Sequence, residues 1–166
     1  MGNEEIFDLY TCDRQPLYKT AKRGSCLLDG EFHLVAMAVL INDCNEILIT
    51  KRSMNKPGAG KWECTAGSVL AGETTKQAIQ REVKEEIGIM VEVEDENLIG
   101  CFFEEDAIFD IWKIKVQCRI DDLILQSNEV DDARYIKIDD IQTFIDNNPC
   151  TSSLYEVSRL YSEGSL

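Results

Sequence analysis

The stretch from residue 67 to residue 89 constrains the fold most, because it carries a full set of signals for one helix. Thr74 and Gln77 have the spacing of a capping box, which predicts that a helix begins here. Gly88 supplies the residue type that commonly ends a helix. The apolar side chains between these two signals recur at helical spacing: Ala78, Ile79, Val83 and Ile87. The sequence therefore predicts a well-defined helix with one apolar face.

The acidic residues of this helix gather on one side. At about 100° per residue, Glu82, Glu85 and Glu86 fall within an arc of about 100°. Two of them border the apolar face, where like charges disfavour one another unless a cation joins them. Oxygen ligands of high charge suit Mg²⁺ or Mn²⁺, which would polarise a substrate's phosphorus and lower the pKa of a bound water. The alternative is a solvated acidic face, but Glu73 just before the helix and Arg81 within it favour a built site.

Residues 67–89 resemble the Nudix box, Gly-x5-Glu-x7-Arg-Glu-U-x-Glu-Glu-x-Gly-U with U aliphatic, at all nine specified positions. The resemblance implies the Nudix fold, an α/β/α sandwich with a mixed β-sheet. It also implies Mg²⁺-dependent hydrolysis of a nucleoside diphosphate linked to another moiety, or of a similar small organic diphosphate. We therefore expect a Nudix pyrophosphohydrolase whose partner is a small phosphorylated substrate.

The same resemblance implies roles for individual side chains of the box. Glu82 and Glu86 correspond to the main metal ligands. Glu85 corresponds to a further ligand or to a base that orients water. Arg81 resembles the residue that holds Glu73 in place, so we expect these two side chains to be in contact.

The loop that precedes the helix begins and ends with glycine, at Gly67 and Gly72. Glycine at these positions would let the backbone approach the metal or the substrate's phosphates closely. Directly before the loop, the backbone carbonyl of Ala66 corresponds by resemblance to another metal ligand. The plainer interpretation is a tight turn between strand and helix, and both interpretations can hold together.

The densest basic patch lies at the end of a predicted strand, where Lys51 and Arg52 precede a loop that contains Lys56 and Lys61. Neighbouring strand residues face opposite ways, so we expect only one of Lys51 and Arg52 to reach the site. The guanidinium of Arg52 suits bidentate phosphate binding. A solvated rim of positive charge is an equal alternative.

Hydrolysis also needs a base near the attacking water. The candidates outside the helix are four carboxylates: Glu104, Glu105, Asp110 and Glu129. Residues 128–132 resemble the acidic segment that precedes the last strand in the family, so we favour Glu129.

A wider resemblance covers most of the chain and points to the Nudix branch that contains type I isopentenyl-diphosphate isomerase and its hydrolase relatives. It is carried by three stretches: 31–35, 47–53 and 60–62. Isomerase catalysis needs a cysteine at the place of Ala66 and a metal-binding histidine at the place of Ser68, so the sequence argues against this alternative. The chain has one histidine, His33, which we expect to be structural. A second alternative is a Nudix domain kept only for ligand binding, although such a domain would be free to lose the metal carboxylates present here.

Elsewhere the apolar pattern indicates strands and short helices. Residues 34–41 and 46–50 are predicted to form a hairpin with a central strand. Further strands are predicted at residues 5–10, 62–65, 89–93, 98–103, 108–118 and 133–138. Short helices are predicted at residues 139–146 and 153–161. Since no repeat or linker divides the chain, we expect one α/β domain over residues 1–166, with a mixed sheet covered by helices.

Composition excludes several classes of function. The 17 basic and 31 acidic residues give a net charge of −14, which disfavours nucleic-acid polymers and anionic membranes as partners. No apolar run is long enough to predict a membrane span. Seven cysteines without a Cys-x-x-Cys pair are typical of reduced thiols, which predicts a cytoplasmic protein. A homodimer is expected from the family resemblance alone.

Overall fold

A computed structural model of the chain describes residues 5–166. Nine strands lie in this part of the chain: β1 (Ile6–Tyr10), β2 (Pro16–Lys22), β3 (His33–Ile41), β4 (Glu46–Arg52), β5 (Trp62–Glu63), β6 (Ala66–Ser68), β7 (Leu98–Glu104), β8 (Ala107–Lys115) and β9 (Val130–Lys137). The α-helices are α1 (Thr75–Ile87), α2 (Ile141–Asn147) and α3 (Ser152–Ser162). Short 3₁₀ turns occur at Asp95–Asn97, Ile120–Asp122 and Ile138–Asp140.

Seven of the strands form one mixed sheet, and β1 and β2 form a separate hairpin. The main order is β5-β4-β3-β8-β7, with β6 paired to β3 and β9 paired to β4. Strands β3 and β8 run parallel along their whole length, whereas the other pairs are antiparallel. The predicted mixed sheet and the predicted hairpin of β3 and β4 are therefore confirmed.

Strand β3 is apolar on both sides because it lies between two layers of helices. Its alternate residues enter two different core clusters, as the two-residue period of a strand requires. One cluster contains Leu34, Ala36, Ala38 and Leu40 together with the apolar face of α1. The other contains Met37, Val39 and Ile41 together with apolar side chains of α2 and α3. This is the predicted α/β/α sandwich.

Helix α1 forms as its sequence signals predict. The Thr74 hydroxyl accepts a hydrogen bond from the backbone N–H of Gln77, and the Gln77 side chain accepts one from the N–H of Thr74. Gly88 ends the helix in the left-handed conformation, with φ 79°. A Cβ at this position would lie 2.7 Å from the Cβ of Ile124, so glycine is required by both conformation and packing.

Three predictions of strands need correction. Residues 89–93 form no strand: Ile89, Val91 and Val93 pack against the α1 side of the core, and the alternation reflects this packing without a neighbouring strand. The predicted strand at 62–65 is shorter in the structure, where it is β5, and β6 lies just beyond it, at the predicted start of the loop before α1. Strand β2 is missing from the predictions because its side chains are mostly exposed and carry no apolar alternation.

Within residues 5–166, no helix combines the length and the apolar character that a membrane crossing requires.

Candidate active site

The glutamates of α1 face a small cavity of about 80 Å³, which we call the carboxylate pocket. Helix α1 provides Glu82, Glu85 and Glu86, and the segment before β9 provides Gln126 and Glu129. The rest of its lining is formed by Glu5, Arg23, Lys56, Ala66, Gly67 and Ser68. Backbone hydrogen bonds from Ile124 and Gln126 to the end of α1 hold the segment before β9 against the helix.

Glu86 is the most buried carboxylate of the pocket, with 3% of its surface exposed. Its Oε2 has no hydrogen-bond partner within the described part of the chain. Lys56 Nζ lies 3.9 Å from Oε1, too far for a strong hydrogen bond. Burial, followed by the nearby charge of Glu63, raises the pKa of Glu86 to about 8. A buried carboxylate without a full set of partners is costly, so this position favours a proton or a bound cation.

Arg81 organises the other carboxylates. It donates two hydrogen bonds to Glu73, from Nε to Oε1 at 2.9 Å and from Nη2 to Oε2 at 3.0 Å. It also contacts Glu82 at 2.6 Å, Glu85 at 3.2 Å and the backbone carbonyl of Ser68 at 3.0 Å. The expected contact between Arg81 and Glu73 is present, and through it the loop before α1 is fastened to the helix.

Gly67 brings strand β6 against the carboxylate of Glu82. A Cβ at Gly67 would lie 2.0 Å from Cδ and from Oε1 of Glu82, so the Glu82 carboxylate or β6 would have to move. The glycine therefore permits the close approach of β6 to the Glu82 carboxylate. Burial raises the pKa of Glu82, and the adjacent Arg81 opposes that rise.

The donors of the pocket fit a hard divalent cation in chemistry, because all are oxygens and Glu86 has an unpartnered buried one. The present positions of these side chains do not form a complete coordination shell. Within residues 5–166, no three side chains of His, Cys, Asp or Glu converge on one point in the way a metal site requires. Arg81 pairs with Glu82 and Glu85, while Lys56 pairs with Glu129.

The four candidate bases lie in different places. Glu129 lines the carboxylate pocket, where it forms an ion pair with Lys56. Glu104 and Glu105 line a neighbouring cleft. Asp110 lines neither cavity, because it is buried in an ion pair with Arg14. The sequence predicts Lys56 only as part of a basic loop. Its position between Glu86 and Glu129 depends on how that loop folds back against the pocket.

The neighbouring cavity, which we call the cleft, has a volume of about 590 Å³. Positive charge on its walls comes from Arg23, Arg52 and Lys61, and acidic side chains come from Glu63 and residues 104–106. Thr151, Ser152 and Ser153 add hydroxyl groups. The carboxylate pocket and the cleft share Arg23, Ala66, Gly67 and Ser68, so they are adjacent.

Arg52 and Lys51 face opposite ways, as the strand alternation predicts. Arg52 lines the cleft and donates to Glu63 Oε2 at 2.5 Å and to the carbonyl of Pro57 at 2.9 Å. Lys51 instead lies over the ring of Trp62, with Nζ 5.8 Å from the ring centre. The guanidinium of Arg52 is thus held at the cleft by its own internal partners.

Comparison with known proteins identifies the family. The family model described as the NUDIX domain matches residues 31–156. A relative named as an uncharacterized Nudix hydrolase of Listeria monocytogenes is 37% identical over 140 residues, covering 83% of both chains. This chain belongs to the Nudix family. It carries the intact Nudix box and is a Nudix pyrophosphohydrolase.

Two further comparisons concern part of the sequence and the whole Nudix fold. The 8-oxo-dGTP diphosphatase of Escherichia coli is 42% identical over 55 residues, which are 33% of this chain and 43% of that relative. The crystal structure of the protein DR0079 of Deinococcus radiodurans superimposes with a TM-score of 0.78 at 17% identity. That alignment covers 95% of this chain and 99% of the other, which confirms the fold.

Cys64 and His33 line the cleft, but the cysteine and the histidine that Nudix isomerase chemistry would need at positions 66 and 68 are absent. Positions 66 and 68 carry alanine and serine. Cys64 is buried on the same core cluster as Ala66, and burial raises the pKa of its thiol to about 12, so it is a poor proton donor. His33 stacks on Phe7 with ring centres 4.5 Å apart, and burial lowers its pKa. These contacts support a structural role for His33.

Proposed function

We propose that this protein is a Mg²⁺- or Mn²⁺-dependent hydrolase that cleaves a diphosphate linkage. Its substrate class is a nucleoside diphosphate linked to another moiety, or a similar small organic diphosphate. The observation that carries the proposal is Glu86, a nearly fully buried carboxylate with an unpartnered oxygen in a pocket of further carboxylates. That pocket opens beside a cleft large enough for the rest of such a substrate.

Glu82, Glu85 and Glu86 would hold the metal, with the backbone carbonyl of Ala66 as a further donor. Nudix hydrolases generally use divalent metals. When bound, such a metal would polarise the phosphorus and neutralise charge on the leaving group. The free, buried Oε2 of Glu86 supports this assignment, because it lacks the partner that a buried carboxylate requires.

The remaining residues would position the reaction. Arg81 donates two hydrogen bonds to Glu73 and so holds the loop before α1 against the helix. Glu129 accepts the proton of the attacking water, and Glu85 is the second candidate for orienting that water. Arg52 binds an oxygen of the substrate's phosphate at the cleft, and Gly67 lets β6 lie close to the carboxylates.

The cleft would select the substrate. The match to the 8-oxo-dGTP diphosphatase of Escherichia coli spans only a third of this chain, so it supports the shared chemistry more than a shared base. The walls of the cleft combine three cationic side chains with carboxylates and hydroxyls, a lining suited to a charged and hydroxylated molecule.

The test is release of phosphorylated products, with and without Mg²⁺, from nucleoside di- and triphosphates including 8-oxo-dGTP, nucleotide sugars, dinucleoside polyphosphates and isoprenoid diphosphates. We expect metal-dependent hydrolysis of at least one compound. Glu86→Gln should lower that turnover about a thousandfold, since the metal is worth several kcal/mol to the transition state. Product release that is equal without metal would contradict the proposal.

One observation favours a second function, a Nudix domain that binds a ligand without cleaving it. Arg81 and Lys56 already neutralise three of the pocket's carboxylates, and the described side chains form no finished metal cage. Calorimetry separates the two functions. Binding of a nucleotide ligand together with absent affinity for Mg²⁺ and Mn²⁺ would favour the binding domain.

We also propose a cytoplasmic location, supported by the cysteines of the described chain, which are all free thiols. Homodimer formation stays a prediction from the family.

A further inference from the structure

The hairpin of β1 and β2 lies before residue 31, where the match to the family begins, yet it is fastened to the active site. Ala71 donates its backbone N–H to the carbonyl of Ile6 at 2.8 Å. Gly72 donates to the carboxylate of Asp8 at 2.8 Å. Both acceptors belong to β1, and both donors belong to the loop between β6 and α1. The hairpin is therefore positioned by the loop that connects β6 and α1, two elements that line the carboxylate pocket.

Arg23, directly after β2, reaches the boundary between the two cavities. Its backbone N–H donates to the carbonyl of Glu5 at 3.0 Å, which fixes the chain at this point. Its side chain lines both the carboxylate pocket and the cleft. Among the side chains of residues 5–166 that line these cavities, Arg23 is the one cation common to both.

The other two arginines of the site are each held by more than one internal partner, and Lys61 lines only the cleft. Arg81 contacts Glu73, Glu82 and Glu85, and Arg52 pairs with the buried Glu63. By contrast, Arg23 pairs with Glu5 at 2.7 Å in an exposed contact, with 57% and 38% of the two side chains accessible. An exposed ion pair contributes little to stability, so the guanidinium can exchange Glu5 for another anion at small cost.

We propose that Arg23 is a substrate-binding residue that contacts a phosphate where the substrate passes from the carboxylate pocket into the cleft. The inference rests on the proposed function, because it requires a diphosphate beside Glu86 with its second moiety in the cleft. Such a molecule must cross the boundary that Arg23 lines. The planar guanidinium offers paired donors to phosphate oxygens, and it supplies positive charge in a chain of net charge −14.

The experiment uses the full chain and methylenediphosphonate, a diphosphate that cannot be hydrolysed at its bridge, titrated by calorimetry in the presence of Mg²⁺. Arg23→Gln is compared with Arg23→Lys, which keeps the positive charge but lacks the paired N–H donors of the guanidinium. The matched control is Arg119→Gln, since Arg119 is an exposed arginine paired with Asp121 and lines neither cavity. Mg²⁺ affinity without the probe is measured for every variant.

We expect Arg23→Gln to weaken probe binding at least about tenfold, as for loss of a hydrogen bond to a charged group. Arg23→Lys should recover part of the affinity, Arg119→Gln should match the original protein, and Mg²⁺ affinity should not fall. Glu5→Gln, which frees Arg23, should bind the probe at least as tightly as the original protein. Once a substrate is known, Arg23→Gln should raise KM more than it lowers kcat.

Two results would overturn the role of Arg23 while leaving the proposed function intact. One is unchanged probe affinity in Arg23→Gln, and the other is an equal loss of Mg²⁺ and probe binding, which indicates a structural residue. If the original protein binds neither Mg²⁺ nor the probe, the proposed function itself fails. If Arg23→Gln does not fold, Arg23→Lys decides the question. Probe affinity and a salt dependence of probe binding that both equal those of the original protein would contradict bidentate phosphate binding by the guanidinium.

Discussion

The carboxylate pocket and the cleft share a wall but are built in different ways. The pocket has a volume of about 80 Å³, and three of its carboxylates come from one helix, α1. The cleft has a volume of about 590 Å³ and draws its lining from all the strands from β3 to β8 and from the start of α3, with the loops beside them. Only the strand β6 and Arg23 belong to both.

The difference shows how this fold separates reaction chemistry from substrate selection. The three α1 carboxylates of the pocket are close in sequence, and their mutual positions follow from helix geometry. The cleft depends on residues far apart in sequence, so its shape can change through loops without disturbing the carboxylates. Substitutions on the two sides of the shared wall should therefore change different kinetic constants.

The largest contrast is expected between two glutamates that were both candidate bases. Glu129→Gln should lower kcat about a hundredfold or more, since a general base contributes 10²–10⁴-fold. Glu104→Gln should leave kcat within a few fold and change KM, because Glu104 lines the cleft and accepts a hydrogen bond from Ser152. Steady-state kinetics on the substrate found in the panel measures both. Equal kcat for Glu129→Gln and the original protein would remove Glu129 as the base.

A smaller effect is expected at the shared wall. Gly67→Ala places a Cβ against the Glu82 carboxylate, so Glu82 or β6 must move, at a cost of about 1–3 kcal/mol in the free energy of unfolding. We expect Mg²⁺ affinity to fall about tenfold. The control is Gly100→Ala on β7, where a Cβ would meet nothing within 4 Å. Calorimetric titration of Mg²⁺ into both variants tests the contrast, and equal affinities would show that Glu82 needs no such closeness.

A further effect concerns stability without metal and requires no change in turnover. The pKa of Glu86 is about 8 in the fold and 4.5 for an unperturbed glutamate, so between these values the folded protein holds a proton that the unfolded chain releases. The folded state therefore loses stability as pH rises through this window. Glu86→Gln removes that loss, so in EDTA its melting temperature should rise relative to the original protein from pH 5 to pH 8.5. A constant difference between the two melting curves across this range would contradict the raised pKa.

Much of the fold could be predicted because its signals are local. The caps of α1, the apolar run of β3 and the turn before β4 each lie within a few residues, and each is present as predicted. The strand predicted at residues 89–93 is absent because an alternating pattern shows which side chains are buried and does not show whether a partner strand is present. The sequence of β2 carries no strand signal, since this strand depends on backbone pairing with β1 and its side chains are mostly exposed.

The candidate site divides in the same way. The contact of Arg81 with Glu73 spans eight positions and follows from the motif. Three other contacts do not follow from the motif, because their partners are far apart along the chain. Lys56 and Glu86 are separated by 30 positions, Arg14 and Asp110 by 96, and Arg23 and the shared wall by more than 40. Periodicity carries no information over such distances.

The sequence by itself determined the family, the helix that carries the glutamates and the side of that helix on which they lie, because a 3.6-residue period fixes directions within one helix. The tertiary structure decided which glutamate lacks a partner, which cations reach the pocket and how the cleft adjoins it. Burial and ion pairing depend on segments that meet only after the chain has folded, and these contacts set the pKa of Glu86 and the availability of Arg23.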